Sequence, residues 1–194
     1  MHVRIVIAAS ATAFLAVVAL PAAATEETYV LDPVHSQPVF GTRHLGMSTQ
    51  WGSFQKLTGR IALDRDARKG SVDITIEAAS IRTHDSRLDA IVKGDRFFNV
   101  EKFPTITFKS SKVVFDGERV SGVDGELTML GVTRPVNLAI TDLACGPQPF
   151  NHKPMCGGDA TGTIKRSEWG MTANLPLSPA DEVKLTIPFE AYRP

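Results

Sequence analysis

The sequence has no excess of charge of either sign. Its 194 residues carry 21 Lys and Arg against 21 Asp and Glu. Proteins that hold nucleic acid or anionic membranes through their overall field have a basic excess. The composition therefore excludes nucleic acid as a partner, and net charge does not draw this chain to any ligand.

Catalytic and nucleotide-binding motifs are also missing. The chain contains no GxSxG, HExxH, phosphate-binding loop or dinucleotide fingerprint. The glycines of GVDGELTMLGV (122–132) lie in an alternating pattern with no helix after them, and a phosphate-cradling loop needs that helix N-terminus. We expect no catalytic residue, no metal ion and no cofactor.

Long apolar runs are absent except at the N-terminus. Residues 5–20 are almost wholly apolar, follow Arg4, and precede the small residues 22–24. This order is typical of a secretory signal peptide, and the run is somewhat short for a spanning helix of about 20 residues. We predict a cleaved signal peptide at 1–24 and one exported domain at 25–194. An uncleaved anchor is the alternative.

Cysteine is scarce: Cys145 and Cys156 are the two in the chain. Export to an oxidising compartment makes a disulfide the expected state. The residues between them include three prolines and His152, and they indicate a loop. A redox or metal pair is the alternative, although the spacing is not CxxC.

Alternation of apolar and polar residues is the main pattern that is present. In SVDITIEA (71–78), Val72, Ile74 and Ile76 share one face, and the same period of two recurs in 104–115, 133–142 and 182–192. Such patterns indicate half-buried antiparallel strands. Several strands reach ten residues, which favours an all-β fold, an up-and-down antiparallel barrel of about eight strands.

One segment, 84–104, breaks the alternation. Leu88, Ile91 and Val92 have helical spacing. Asp85 or Ser86 can cap the start of a helix here, and Gly94 can end it. We predict a short amphipathic helix followed by an apolar lid loop. A plain plug of core residues is the alternative.

The two histidines of HSQPVFGTRHLGM (35–47) cannot both bind one metal ion from a straight strand. His35 and His44 are nine residues apart, so they face opposite sides. His44 shares the face of Phe40, which we predict to be interior. It is then a hydrogen-bonded group at the barrel mouth, a ligand contact, or a metal or catalytic group.

Arg166 also has inward parity, because it lies on the same predicted face as Ile164 and Gly162. A buried arginine needs a partner. Here the partner is either an acidic side chain or a ligand phosphate.

Five stretches together resemble the YceI-like family of exported bacterial lipid-binding proteins, and they cover nearly the whole predicted mature chain. The stretches are YVLDPVHSQPVFGTRHLG (29–46), WGSFQKLTGRIALD (51–64), FFNVEKFPTITFKS (97–110), VDGELTMLGVTRPVNLAI (123–140) and TGTIKRSEWGM (161–171).

The resemblance implies a lipocalin-like barrel whose apolar lumen holds an isoprenoid chain, such as that of a polyprenyl phosphate or an isoprenoid quinone, in the periplasm. The bound lipid is then a ligand and not a cofactor. A transient membrane contact and a homodimer are further interactions that this hypothesis allows. The lumen candidates are Phe40, Leu45, Trp51, Phe54, Phe97, Phe98, Phe103, Ile106, Phe108, Met129, Trp169 and Met171. The head-group candidates are His44, Arg87 and Arg166.

Two other functions stay open at this point. A filled barrel would be a protein-interaction module without lipid. An enzyme that modifies a bound lipid would need a catalytic group such as His44. We expect a carrier and not an enzyme.

Overall fold

Residues 26–194, which the computed structural model describes, fold into an antiparallel β-barrel. The expected signal peptide at 1–24 lies outside the described residues. Within 26–194, no helix has the length and apolar character needed to cross a membrane. The strands are β1 (Glu27–Leu31), β2 (Val39–His44), β3 (Ser48–Phe54), β4 (Leu57–Asp64), β5 (Lys69–Glu77), β6 (Ile81–Arg82), β7 (Thr105–Asp116), β8 (Arg119–Met129), β9 (Val132–Pro147), β10 (Pro154–Lys165) and β11 (Glu182–Tyr192).

The sequence pattern explains the strands. In β5, Gly70, Val72 and Ile76 are buried, whereas Ser71, Asp73 and Glu77 on the opposite face are exposed. A strand that puts alternate side chains on opposite faces can cover a lumen with one face and meet water with the other. The all-β barrel predicted from the sequence is confirmed.

Eleven strands make an eight-stranded barrel, because at three positions in the barrel wall two short strands lie end to end in place of one long strand. Beside β11 lie β1 and then β2. The next position holds β4 and β3, which pair with β1 and β2 respectively. The third holds β5 and β6. From β7 to β11 each strand pairs with the next, and β11 closes the barrel on β1.

The predicted helix is present as α1 (Ser86–Lys93). The Asp85 side chain accepts a hydrogen bond from the Arg87 N–H at 2.8 Å, and Gly94 ends the helix. A side-chain cap of this kind satisfies one of the N–H groups that a helix leaves free at its start. Two single 3-10 turns, Ala78–Ser80 and Arg166–Trp169, complete the elements.

The connections gather at the two ends of the barrel. At one end, which we call the helix end, lie α1 with its following segment (83–104), the β2–β3 turn (45–47), the β8–β9 turn (130–131) and the segment 166–181. At the other, the disulfide end, lie the β4–β5 turn, the β7–β8 turn and the β9–β10 hairpin. The two ends are therefore built from different parts of the sequence.

The predicted disulfide between Cys145 and Cys156 is present and joins directly opposite residues of β9 and β10. The residues between the cysteines are only partly a loop, because the ladder continues to the pair Pro147–Pro154. Residues 51–64 form two strands rather than one, since β3 ends at Phe54 and β4 begins at Leu57.

Candidate functional site

The inward faces of the strands enclose an elongated cavity of about 270 Å³. Along β11 its wall runs from Val183 to Ala191, roughly 26 Å of strand at ~3.3 Å per residue. A filled protein interior leaves few voids larger than a water molecule. The barrel therefore has an open lumen.

Inward side chains at mid-height border this lumen without packing fully across it. Ile74, Leu185, Ile187 and Phe189 line the cavity and remain only partly buried. Core side chains that met across a filled barrel would be closed off from solvent-sized space. The apolar surface of these four residues is available to a guest molecule.

The few polar side chains on the wall turn their polar atoms into the backbone. The Ser36 hydroxyl donates to the Glu190 carbonyl and accepts from the Glu190 N–H, both at 3.0 Å. The Thr42 hydroxyl donates to the Ala180 carbonyl at 3.2 Å. Because these groups are already bonded, the lumen presents hydrocarbon to a ligand and few free hydrogen-bonding groups.

Arg166 reaches the cavity wall, as its parity predicted, and is 2% exposed. Its guanidinium donates to four backbone carbonyls, those of Met171, Ala173, Pro179 and Ala180, at 2.7 to 3.0 Å. Burial lowers the pKa of Arg166 from its ordinary value, while the nearby Asp181 charge acts in the opposite direction.

The partner of Arg166 is therefore the backbone of the segment 171–180 rather than an acidic side chain. With four donors occupied, Arg166 has little capacity left for a ligand phosphate. Its placement favours a role in holding the helix end closed.

An aromatic cluster occupies the lumen near the helix end. The ring centroids of Phe40, Phe54 and Phe98 lie 5.5 to 6.0 Å apart, and Phe54 meets Phe98 edge to face. Phe98 comes from the segment after α1, so this contact fastens that segment over the strands. Aromatic pairs at such distances add to the stability of plain apolar burial.

Eight of the twelve predicted lumen residues lie on the cavity wall. Whether they contact a ligand stays a prediction. They are Phe40, Phe54, Phe97, Phe98, Ile106, Phe108, Met129 and Met171.

Leu45 and Trp51 are wrong as lumen residues, because they are 55% and 49% exposed. Trp51 is three residues from Phe54 on β3, so the two side chains must face opposite sides. Phe54 points inward and Trp51 lies outside, over Gly41 of β2, where a Cβ would come within 2.6 Å of its ring. Leu45 belongs to the β2–β3 turn beyond the end of the strand.

Phe103 and Trp169 also do not line the cavity. Trp169 is fully buried, and its indole N–H donates to the Leu127 carbonyl at 3.1 Å. Phe103 packs at the β8–β9 turn, where its ring lies against Gly131. Both side chains close the helix end from outside the lumen.

Two head-group candidates lie away from the cavity. His44 is exposed at the end of β2, past the last inward residue, Thr42. Arg87 is exposed on α1 and pairs with Asp85 at 2.6 Å. Neither side chain is on the cavity wall, because both lie where the elements have already left the barrel.

Several residues of the wall, most of them aliphatic, were not predicted from the sequence. Val92, Leu138, Leu185, Ile187 and Phe189 line the cavity. For the four on β9 and β11 the signal was the same alternation that identified the strands.

A group of potential metal-binding side chains lies on the outer surface at mid-height. Asp32, His35 and Glu190 bring one ligand atom each within 4.8 Å of one another. His35 Nδ1 lies 2.7 Å from Asp32 Oδ2 and 3.7 Å from Glu190 Oε2. Asp32 and His35 lie in the break between β1 and β2, where these distances make an ion pair. The hydrogen bond to Asp32 raises the pKa of His35 above its ordinary value.

The chain is similar to known proteins over most of its length. The YceI-like domain model matches residues 29–191. A UPF0312 protein of Pectobacterium carotovorum is 34% identical over 174 residues, which cover 89% of this chain and 88% of that protein.

Solved structures share the barrel. Burkholderia cenocepacia BcnA aligns with a TM-score of 0.71 and 25% identity, over 82% of this chain and 98% of that one. A polyisoprenoid-binding domain of Saccharophagus degradans aligns with a TM-score of 0.61 and 17% identity, over 86% and 98%. At that identity the second likeness shows the fold alone. From the match of the domain model and the similarity to the curated relative, this chain belongs to the YceI-like family.

Proposed function

We propose that this protein binds the apolar chain of a long isoprenoid lipid in its lumen and carries that lipid in the periplasm. The observation that carries the proposal is the lumen: an elongated cavity of about 270 Å³ whose wall is almost entirely hydrocarbon. Each buried methylene of a guest stabilises the complex by ~0.8 kcal/mol relative to water. An extended apolar chain fits such a lumen better than a compact polar molecule does.

The competitor for the ligand is the bilayer, which is as apolar as the lumen. The hydrophobic term therefore almost cancels when a lipid moves from one to the other. Chain ordering, the head group and contacts at the mouth then decide loading and release. This balance suits a carrier, because a ligand held far more tightly than in a membrane would not be delivered.

The choice of an isoprenoid rests on the family and on its structural neighbour that is described as polyisoprenoid-binding. The alternatives are a filled-barrel interaction module and an enzyme. The open lumen disfavours the first. Against the second, Ser36, Thr42 and Arg166 on the wall are all bonded to backbone atoms.

The test is mass spectrometry of an organic extract from protein purified without detergent. We expect a prenyl lipid in about equimolar amount, either as purified or after incubation with an isoprenoid quinone or a polyprenyl phosphate. The extracted lipid should keep its mass on further incubation with the protein, whereas an enzyme would change it.

A lumen-filling variant sharpens the test. Ile187→Trp places a large ring in the lumen, and Thr186→Trp places the same ring on the exposed face of the same strand. We expect Ile187→Trp to lose most of the bound lipid and Thr186→Trp to retain it. Equal retention by the two folded variants would contradict binding in the lumen.

A further inference from the structure

We propose that the helix end is a docking surface for an anionic lipid bilayer, contacted by an apolar rim made of Leu45, Met47, Trp51 and Leu177. The inference rests on the proposed function, because a carrier must meet the membrane that holds its ligand. It goes further by naming the part of the barrel that makes the contact.

Exposed apolar side chains are concentrated at this end. Among the residues described, seven large hydrophobic side chains are exposed. The four rim residues and Ile91 of α1 belong to the helix end, whereas Val34 and Phe150 lie elsewhere. Met47 and Leu177 are 81% and 78% exposed. Clustered apolar exposure of this kind marks an interaction site, whereas single exposed residues do not.

The rim is one continuous surface because hydrogen bonds join its two loops. The Leu45 N–H donates to the Ser178 hydroxyl at 3.3 Å. The Ala180 N–H donates to the Arg43 carbonyl at 2.9 Å. The β2–β3 turn and the segment 171–180 therefore present Met47 and Leu177 together. Trp51 lies on the outer face just below the turn, and tryptophan is favoured where a membrane meets water.

The backbone of the β2–β3 turn places a leucine where the fold prefers another residue. Leu45 has φ +51° and is followed by Gly46 at φ +69°. The Met47 N–H donates to the His44 carbonyl at 2.9 Å, and a turn with positive φ at both central residues favours Asn, Asp or Gly at the first of them. The same Leu-Gly pair occurs in the β8–β9 turn, where Leu130 has φ +54°, but Leu130 packs against the core. An exposed leucine at a disfavoured backbone angle indicates a use for its side chain beyond folding.

The two rim loops carry basic residues and no carboxylates, although the neighbouring segment 83–104 has four acidic and four basic residues. The segments 43–48 and 171–180 contain no Asp or Glu. Arg43 donates to the carbonyls of Gly46 and Met47 and to the Thr49 hydroxyl, and Arg96 donates to the Asn174 side chain. Within residues 26–194, neither arginine forms an ion pair.

This local charge complements an anionic surface, although the whole chain is nearly neutral. A surface that combines basic and apolar side chains can bind a membrane in two ways. The apolar side chains insert at the headgroup boundary, and the basic side chains attract anionic lipids. The rim has both components in one place.

The rim also adjoins the lumen. Thr42 and Pro179 line the cavity and flank the two rim loops. Val92 and Phe98, from α1 and its following segment, line the cavity at the same end. A lipid chain that left a bilayer at the rim would reach the lumen without crossing the outer wall.

The test compares two matched double variants by flotation with vesicles. Met47→Glu with Leu177→Glu places two charges on the rim. Val34→Glu with Phe150→Glu places two charges on exposed apolar positions elsewhere. With vesicles of phosphatidylglycerol and phosphatidylcholine, we expect the rim variant to lose binding by about tenfold or more, and the control to stay within about twofold of the unaltered protein. Phosphatidylcholine vesicles alone should bind the unaltered protein more weakly.

Equal binding by the two variants, or no binding of the unaltered protein to anionic vesicles, would overturn the docking surface. Retention of an isoprenoid quinone delivered in detergent separates this result from the lumen. A rim variant that retains the quinone but fails to extract it from vesicles supports both proposals. If no variant retains lipid while vesicle binding still depends on the rim, the carrier function fails and the docking surface stands.

Discussion

The two ends of the barrel close the same lumen by different means. At the disulfide end a covalent bond joins Cys145 to Cys156, and the Arg68 side chain bonds to the Gly117 carbonyl across two turns. At the helix end the closing segments are held by hydrogen bonds and apolar contacts, chiefly those of Arg166 and Phe98. The disulfide fixes the β9–β10 hairpin, whereas the closing segments of the helix end can separate without breaking a covalent bond.

The surfaces of the ends differ in the same sense. The turns of the disulfide end carry charges of both signs, such as Asp66, Arg68 and Glu118. The rim at the helix end has apolar side chains and arginines. An end that is meant to stay in water is covered by mixed charges, which discourage association. The proposed bilayer contact therefore lies at the helix end, although Phe150 of the β9–β10 hairpin is also exposed.

Removing the Arg166 guanidinium should cause the largest loss of stability, and the loss should be confined to the helix end. Arg166→Met leaves four carbonyls of the segment 171–180 without their donor. Unsatisfied buried carbonyls are costly, and we expect a loss of about 4 kcal/mol in the free energy of unfolding. Amide hydrogen exchange should rise in 171–180 and stay slow near Cys145.

Arg134→Met is the matched control for this prediction. Arg134 lies at the same end but is exposed, and it bonds to a single carbonyl, that of Glu168, at 3.2 Å. We expect it to change stability by less than about 1 kcal/mol. If both variants behaved alike, Arg166 would not be the group that holds the helix end.

Removing the disulfide should have the next largest effect. Replacing Cys145 and Cys156 by alanine frees a loop of 11 residues in the unfolded chain. Loop entropy predicts a loss of about 3 kcal/mol in the free energy of unfolding, measured by chemical denaturation. Exchange should rise in the β9–β10 hairpin and not at the helix end, and lipid retention should be unchanged.

Reduction of the unaltered protein gives the check on that prediction. The reduced protein and the double-alanine variant should unfold at similar denaturant concentrations. If the double-alanine variant instead showed faster amide exchange in α1, the two ends would be coupled and the contrast between them would not hold.

Replacing His35, which lies between the two ends, should have the smallest effect on the free energy of unfolding. The hydrogen bond to Asp32 raises the pKa of His35 above the ordinary value, burial acts in the opposite direction, and the charges of Glu190 and Asp32 add to the increase. Burial acts to raise the pKa of Asp32, but hydrogen bonds from His35 and the Val34 N–H lower it overall. Tyr192, whose pKa burial and then these carboxylates raise, faces the same group.

The direction of the pH dependence follows from these shifts. The stabilisation by His35 is complete below the ordinary pKa of about 6.5 and is lost as pH rises through its raised value. The stabilisation by Asp32 is present above about pH 3.9 and is lost as pH falls through its lowered value. The difference in unfolding free energy between unaltered protein and His35→Gln should therefore be largest between these limits and shrink at alkaline pH. If this difference did not change with pH, the ion pair of His35 would not contribute to stability.

Much of the fold could be predicted because strand alternation and helix caps are local signals. The pattern in β5 and the caps Asp85 and Gly94 needed no tertiary information. The site was harder. Trp51 was misplaced because its parity against Phe54 was not applied, although the sequence contained it. The partners of Arg166 lie in 171–180, which has no periodic pattern, so those bonds arise only from the folded chain.

The three doubled wall positions have a mechanical consequence. Their breaks, at 32–38, 55–56 and 78–80, lie side by side and are joined by bonds such as Phe54 N–H to the Pro38 carbonyl at 3.0 Å and Gln55 N–H to the Ser80 carbonyl at 3.3 Å. This row of breaks is a crease, and β2, β3 and β6 form a panel above it. The panel carries Leu45, Met47 and Trp51. A force applied to those side chains would move β2, β3 and β6 about the row of breaks, because these three strands do not continue to the disulfide end.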